Sequence, residues 1–212
     1  MKSIETNGIT YLESFDSCPE WYWGSNYASG DLYEAEEMFL SGKQFESNRL
    51  IFVHFPDGKV YEPISAKENQ YFGRPSFIDG IIYILLVSFE EKTIRVYQCS
   101  DGMDEVSLVI EIALSTVKDC YNLKLDGRPL MLTRQGGEHS FQIIWPELIQ
   151  FNIGVRESFL FKKEDKLYFS EWHEDPEYRE EINIRSYPSG ELLSKMQGVA
   201  MTMPDGECWV LK

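Results

Sequence analysis

The chain has 212 residues, of which 43% are hydrophobic and 14% aromatic, with 35 acidic and 20 basic side chains and a formal net charge of −15. This composition is that of a globular protein with a buried core, and it excludes a disordered chain. The acidic charge disfavours nucleic acid and anionic membrane surfaces as partners, because both are bound through basic side chains.

From the first residues and the apolar runs we expect no export signal and no membrane span. Residues 1–6 lack the apolar core of a signal peptide, and the longest apolar run, residues 81–87, is too short to span a bilayer. Four cysteines are scattered along the chain and form no C-x-x-C pair: Cys18, Cys99, Cys120 and Cys208. We therefore expect reduced thiols and a cytoplasmic location.

The first notable segment is residues 18–27, with the sequence CPEWYWGSNY. Its Pro, Gly, Ser and Asn residues predict a loop. Exposed aromatic rings in a loop can stack against a sugar or a peptide, so the predicted ligand-binding residues are Trp21, Tyr22, Trp23 and Tyr27. The alternative is that these rings pack the segment onto the rest of the protein.

A short helix is predicted next, over residues 31–40. Asp31 is a suitable N-cap, Glu34 completes a capping box, and Gly42 can end the helix. Residues 1–48 are therefore predicted to be an N-terminal extension with an aromatic loop and a short helix. Residues 49–212 are predicted to be a separate domain.

Residues 49–212 contain two interleaved series of turns at nearly constant spacing. The first series lies at Asp57, Asp101, Pro146 and Ser189, with steps of 44, 45 and 43 residues. The second series lies at Asp79, Asp126, Asp165 and Asp205, with steps of 47, 39 and 40 residues. Asp-Gly between two apolar runs is a strong hairpin signal, although Lys166 replaces Gly in the third copy.

Each repeat thus reads as a meander of four antiparallel strands, with a polar connection between the second and third strands. This pattern over residues 49–212 resembles the blades of β-propeller proteins, at the level of architecture and of no specific family. The resemblance implies an all-β fold, a small propeller with four-stranded blades.

The two ends of the repeat each supply only two strands. Residues 50–55 and 59–62 form one pair, and residues 201–211 supply the two strands of the other. We predict that they build one blade shared between the termini, with residues 207–211 paired to residues 50–55, which gives four blades. The alternative is five blades, with residues 8–48 contributing strands to the fifth.

The sequence contains no catalytic signature. It lacks G-x-S-x-G, P-loop and G-x-G-x-x-G motifs, and the spacing of His54, His139 and His173 matches no metal motif. Asp79 could meet Asp126 or Asp205 at the centre of the ring as a carboxylate pair, but the Asp-Gly turns themselves account for these three residues. No catalytic residue, metal site or cofactor is predicted.

The predicted function is therefore a non-enzymatic binding or protein-interaction module, whose ligand is an unknown protein or small molecule. The alternative is an enzyme acting on a carbohydrate or small metabolite, with carboxylates at the central channel of the propeller.

Overall fold

A computed structural model describes residues 1–16, 18–100, 102–203 and 207–212. The chain forms two compact units, residues 1–120 and residues 121–212. Both are built mainly of antiparallel strands. Among the described residues, no helix has the length and hydrophobicity required to cross a bilayer.

The first unit contains two sheets, one α-helix and one 3-10 turn. Its first sheet has four antiparallel strands in chain order: β1 (Glu13–Phe15), β2 (Cys18–Ser25), β3 (Leu50–His54) and β4 (Val60–Tyr61). Its second sheet has five: β5 (Gln70–Phe72), β6 (Ser76–Ile78), β7 (Ile81–Ser88), β8 (Thr93–Cys99) and β9 (Val106–Ala113). Both β5 and β6 pair with β7. The helices are α1 (Leu32–Leu40) and a 3-10 turn (Leu114–Thr116).

The second unit contains two four-stranded sheets and a hairpin. The third sheet consists of β10 (Lys124–Asp126), β11 (Met131–Gln135), β12 (Ser140–Trp145) and β13 (Ile149–Asn152). The fourth consists of β14 (Glu157–Lys163), β15 (Lys166–His173), β16 (Arg179–Ser186) and β17 (Leu192–Gln197). The last two strands are β18 (Val199–Thr202) and β19 (Cys208–Leu211).

These sheets confirm the predicted fold class, an all-β propeller of four blades with one short helix. Each sheet is an antiparallel meander, which is the blade unit that the sequence pattern resembles. The first turn series connects the third and fourth strands of the four sheets. In the second series Asp79, Asp126 and Asp165 connect the first and second strands of the second, third and fourth sheets. Asp101 and Asp205 lie outside the described residues.

The turn at Asp79 and Gly80 shows why the Asp-Gly signal is reliable. These residues connect Ile78 to its register partner Ile81, and both have positive φ, 51° and 84°. A two-residue turn of this type requires positive φ at both positions, which Asp tolerates and Gly adopts freely. In the third copy Glu164 and Asp165 form the turn instead, and Lys166 is already part of β15.

The predicted blade shared between the termini is wrong. β19 pairs with β18, and β3 already has β2 on one side and β4 on the other. β1 and β2 therefore complete the first sheet, and they belong neither to an isolated extension nor to a fifth blade. The boundary drawn after residue 48 lies between β2 and β3 of one sheet.

The insertion of α1 explains why the sequence pattern missed β1 and β2. In the first sheet the connection between the second and third strands is residues 26–49, which include the helix. The same connection spans only residues 89–92, 136–139 and 174–178 in the other three sheets. The insertion displaces β1 and β2 from the period of about forty residues on which repeat detection depends.

The predicted caps of α1 are both confirmed. Asp31 accepts the backbone N–H of Glu34, and the Glu34 carboxylate accepts that of Asp31, each at 2.8 Å. At the other end Gly42 has φ +69°, and its N–H and that of Lys43 donate to the carbonyls of Phe39 and Met38. A residue without Cβ fits this left-handed position, so the chain leaves the helix there.

Each unit has its own apolar core. In the first unit β2, β3 and β7 contribute the buried faces, with Trp23, Phe52 and Ile84 at the centre. In the second unit Phe141 and Phe169 meet at a centroid distance of 5.1 Å among the aliphatic residues of the third and fourth sheets. The fourth sheet contributes Phe159, Leu167 and Phe169 to this second core.

Candidate functional site

The aromatic segment predicted to be a loop is strand β2, so that part of the prediction is wrong. Trp21 and Trp23 alternate inward, and both belong to the core of the first unit. The physical reason is the period of two in a strand, which places alternate rings on the buried face despite the neighbouring Pro19 and Gly24. Aromatic side chains such as those of Trp21 and Trp23 pack well on the pleated, half-buried surface of a sheet.

The structure brings only two of the four predicted ligand-binding residues together. Trp21 and Trp23 share one face, whereas Tyr22 lies on the opposite face and Tyr27 follows the end of the strand. Tyr27 is 47% exposed and its hydroxyl donates to Glu13 at 3.2 Å. Partial burial and the Glu13 carboxylate both raise the pKa of Tyr27. Ligand contact by these four residues stays a prediction.

A row of three glutamates crosses the fourth sheet. Glu157 on β14 is the register partner of Glu171 on β15, which is in turn the partner of Glu181 on β16. Register partners share a face, so the three carboxylates lie on the same face of the sheet. Like charges directly opposite each other destabilise a sheet, and this row therefore requires compensation.

Cations and an amide compensate the carboxylate row. The guanidinium of Arg185 donates to both oxygens of Glu157, at 3.1 and 2.7 Å. The ammonium of Lys195 donates to Glu171 at 2.5 Å and lies 3.6 Å from Glu181. Asn183, which is buried, donates from one nitrogen to Glu157 and Glu171, at 2.5 and 2.8 Å.

The pKa values of two of these carboxyls reflect the compensation. Burial raises the pKa of Glu157, but the hydrogen bonds from Arg185, the Gly154 N–H and Asn183 outweigh it and leave the pKa lowered. Burial likewise raises the pKa of Glu171, and Lys195 and Asn183 reverse the effect. Both side chains are thus held as carboxylates.

His173 lies beside the carboxylate row. It follows Glu171 by two residues on β15 and therefore points to the same face. Its Nε2 is 3.8 Å from an oxygen of Glu171 and 3.6 Å from an oxygen of Glu181. This nitrogen is enclosed and has no hydrogen-bond partner among the described residues. One imidazole and two carboxylates therefore converge on one point.

The hairpin of β18 and β19 carries an exposed apolar face, called here the hairpin face. Register pairs Val199 with Leu211 and Met201 with Trp209, so the four side chains lie on one side of the two strands. Each is between 41 and 51% exposed. The hairpin face is thus a contiguous set of large apolar groups in contact with solvent.

A cleft of about 550 Å³ lies at one end of the second sheet, beside Gly80, Cys99 and Glu105. Cys99 lines the cleft, and its thiol is the side chain there that could act as a nucleophile. Burial raises the pKa of its thiol to about 11, so the thiolate required for nucleophilic attack is scarce near neutral pH. The cleft therefore lacks an activated nucleophile at Cys99.

The aspartates weighed as channel carboxylates have local roles. Asp79 forms the turn described above. Asp126 accepts a hydrogen bond from the Thr133 hydroxyl and lies 3.1 Å from the ammonium of Lys124. Burial raises the pKa of Asp126 in spite of both partners. The third aspartate, Asp205, is outside the described residues.

The sequence interpretation missed the carboxylate row and His173. Glu171 and His173 form an E-x-H pattern, which places the two side chains on one face of a strand. The contribution of Glu181 depends on the register of β15 with β16, which the sequence does not reveal. The sequence interpretation also missed the exposed face of β18 and β19, because it pairs residues 207–211 with residues 50–55.

No protein-family model matches the chain. No curated protein sequence matches it either. Among solved structures, the chain is similar to the β-propeller domain of the Trilobed protease from Pyrococcus furiosus, with 17% identity and a TM-score of 0.45 over 91% of this chain and 60% of that one. It is also similar to an exo-β-1,3-galactanase from Phanerochaete chrysosporium with β-1,3-galactotriose, with 8% identity and a TM-score of 0.45 over 92% of this chain and 52% of the other. The chain thus spans less than two thirds of the length of either protein.

Proposed function

We propose that this protein is a non-enzymatic interaction module that binds an extended segment of another protein along β19. The observation that carries the proposal is the hairpin face, whose four large apolar side chains are exposed together. Contiguous exposed apolar surface marks sites of protein association.

The position of the hairpin in the repeat indicates where the segment adds. β18 and β19 flank the fourth copy of the second turn series, so they correspond to the first and second strands of a meander. In every complete sheet the second strand pairs with a third strand on its other edge. Among the described residues β19 pairs only with β18, which leaves that edge available for an added strand.

The charge of the chain favours a particular partner chemistry. With a net charge of −15, the protein attracts basic segments and repels acidic ones. At the hairpin itself, the carboxylate of Glu207 accepts the indole N–H of Trp209. The proposed partner segment is therefore extended, apolar on alternate residues and flanked by lysine or arginine.

The cytoplasmic location belongs to the same proposal. All four cysteines are free thiols, and Cys208 lies on β19 itself. Free thiols suit a reducing compartment. The alternative function, an enzyme using channel carboxylates, has no specific observation in its favour among the described residues.

The test selects extended peptides from a phage-displayed library on the full chain and measures their affinity by fluorescence anisotropy. We expect selected peptides to alternate apolar residues between basic flanks. Trp209→Ser should weaken their binding by about 30-fold, the loss typical of an aromatic anchor worth about 2 kcal/mol. Leu148→Ser is the matched control, since Leu148 is an exposed apolar residue of the same unit outside the hairpin.

Two results would contradict the proposal. One is a set of selected peptides that bind the Trp209→Ser variant as tightly as the unmodified protein. The other is a dimer, measured by sedimentation velocity, that Trp209→Ser dissociates and Leu148→Ser does not. In that case the occupant of the β19 edge is a second copy of this chain.

A further inference from the structure

We propose that Glu171, His173 and Glu181 form a binding site for a divalent transition-metal ion, with Zn²⁺ as the best fit. The site lies on the fourth sheet and is independent of the interaction proposed for the hairpin face. It offers one imidazole nitrogen and two carboxylate oxygens, all within 4.8 Å of one another.

The imidazole-to-carboxylate distances come close to those around a tetrahedral ion, and the two carboxylate oxygens lie within 4.8 Å of each other. Two ligand atoms at about 2.1 Å from such an ion lie about 3.4 Å apart. The observed distances from His173 Nε2 to the two carboxylate oxygens are 3.8 and 3.6 Å. Closing them requires shifts of a few tenths of an ångström, and three protein ligands leave the fourth position of the ion open.

An enclosed, unpartnered nitrogen of His173 lies among the carboxylates, and the neighbouring Asn183 carries a second enclosed atom without a partner. His173 Nε2 and the side-chain oxygen of Asn183 are both shielded from solvent, and neither has a hydrogen-bond partner among the described residues. Asn183 is 2% exposed and donates through its nitrogen to Glu171. A buried polar atom without a partner in a native protein calls for an explanation, and an ion is one.

The second oxygen of each carboxylate is held by another group. Glu171 directs one oxygen to His173, while its other oxygen accepts from Asn183 and Lys195. Glu181 directs one oxygen to His173, and its other oxygen lies 3.5 Å from the guanidinium of Arg179. Outer partners of this kind orient metal ligands and are part of many metal sites.

Lys195 acts as an internal competitor for the ion. Its ammonium lies 2.5 Å from an oxygen of Glu171 and 3.6 Å from an oxygen of Glu181, so it already neutralises part of the charge that a cation would meet. Removing the ammonium should therefore strengthen metal binding. A merely structural role for His173 would not produce that effect.

The donor set selects the class of metal. Imidazole nitrogen suits Zn²⁺ and the neighbouring transition metals, whereas Mg²⁺ and Ca²⁺ prefer sites made entirely of oxygen. The half-buried thiol of Cys208 is another zinc-ligand type on the chain, and burial raises the pKa of that thiol. The experiment must therefore separate the two.

The experiment titrates the chelator-treated full chain with Zn²⁺ by calorimetry and with Co²⁺ by visible absorption. We expect one equivalent to bind, with the absorption of Co²⁺ in nitrogen and oxygen ligation and no thiolate charge-transfer band. His173→Gln should abolish binding, and Lys195→Gln should tighten it by about tenfold, because a unit charge beside the ion is removed.

Three controls make the outcome decisive. His139→Asn removes an exposed histidine at φ +61°, a backbone conformation that Asn tolerates, and should leave binding unchanged. Cys208→Ser should leave it unchanged too. Glu181→Gln should weaken it, which keeps the test open if the His173 variant is unstable. The proposal would be overturned if the unmodified chain takes up no metal, or if the His173 and Glu181 variants bind it as tightly as the unmodified chain does.

Discussion

At the scale of single residues, the second unit depends on charged groups that are buried in pairs. The side chain of Glu157 is 1% exposed and that of Arg185 is 14% exposed, and their closest atoms are 2.7 Å apart. Removing one partner of such a pair leaves an uncompensated buried charge, which costs far more than the pair contributes. Glu157 also accepts the Gly154 N–H, so it fixes the turn before β14.

We therefore predict that Glu157→Gln lowers the free energy of unfolding by about 3 kcal/mol, since Arg185 loses its counter-charge inside the protein. Urea titration followed by circular dichroism measures the change. The matched control is Glu147→Gln, which alters an exposed carboxylate that accepts the Tyr187 hydroxyl at 3.1 Å. It should cost less than about 1 kcal/mol. Equal effects of the two substitutions would show that burial of Glu157 is unimportant.

The same variant should also alter the acid sensitivity of the protein. The folded state lowers the pKa of Glu157, so its stabilisation is complete above the ordinary glutamate pKa and is lost as the pH falls through the lower folded value. The difference in unfolding free energy between the unmodified protein and Glu157→Gln should therefore shrink as the pH falls through that range. A difference that grows in acid would reverse the assigned sign.

At the scale of elements, α1 has the clearest local determinants. Its N-terminus is fixed by the reciprocal bonds between Asp31 and Glu34. Its buried Glu36 accepts the backbone N–H of Cys120 at 2.6 Å, and Phe39 stacks on Phe89 at 5.6 Å between centroids. The helix is thereby attached to the end of the first unit and to the loop after β7.

We predict that Asp31→Ala destabilises the first unit by about 1 kcal/mol, because the N–H of Glu34 loses its acceptor. Hydrogen exchange followed by mass spectrometry should show faster exchange over residues 32–40. Asp31→Asn serves as the control, because an asparagine side chain still caps a helix and should restore most of the protection. If Asn and Ala behave alike, the cap does not determine the start of this helix.

The sequence predicts those parts of the fold that depend on interactions between residues close together in the chain. The caps of α1 and the turn at Asp79 depend on neighbours a few residues away, and the sequence predicts both correctly. The first sheet depends on pairing between β2 and β3 across the α1 insertion, and there the repeat pattern failed. Pairing over such a separation depends on register and packing, which a local pattern does not contain.

The candidate sites follow the same rule. Alternation in β15 puts Glu171 and His173 on one face, which is a local property. The approach of Glu181 and Lys195 depends on three adjacent strands in register. Trp21 and Trp23 illustrate the opposite error, because loop-forming neighbours concealed the alternation that buries them.

At the scale of the whole molecule, the dominant property is the excess of acidic over basic side chains. With a net charge of −15, the excess carboxylates repel one another when the chain is compact, and this repulsion opposes folding. Salt screens exposed charges over a Debye length of about 10 Å at 0.1 M, and it screens buried pairs much less. Ion pairs such as Glu157 with Arg185 should therefore persist while the long-range repulsion is reduced.

We predict that the melting temperature rises between about 10 mM and about 300 mM NaCl at neutral pH, because the repulsion lost exceeds the attraction lost from exposed pairs. Thermal unfolding followed by circular dichroism measures it. The control is the same series near the acidic isoelectric point, where the net charge vanishes and the rise should disappear. A melting temperature that falls with salt at neutral pH would mean that exposed ion pairs, such as Arg95 with Glu91 and Glu111, outweigh the net charge. The stability of the protein would then depend on local pairing and not on its overall acidity.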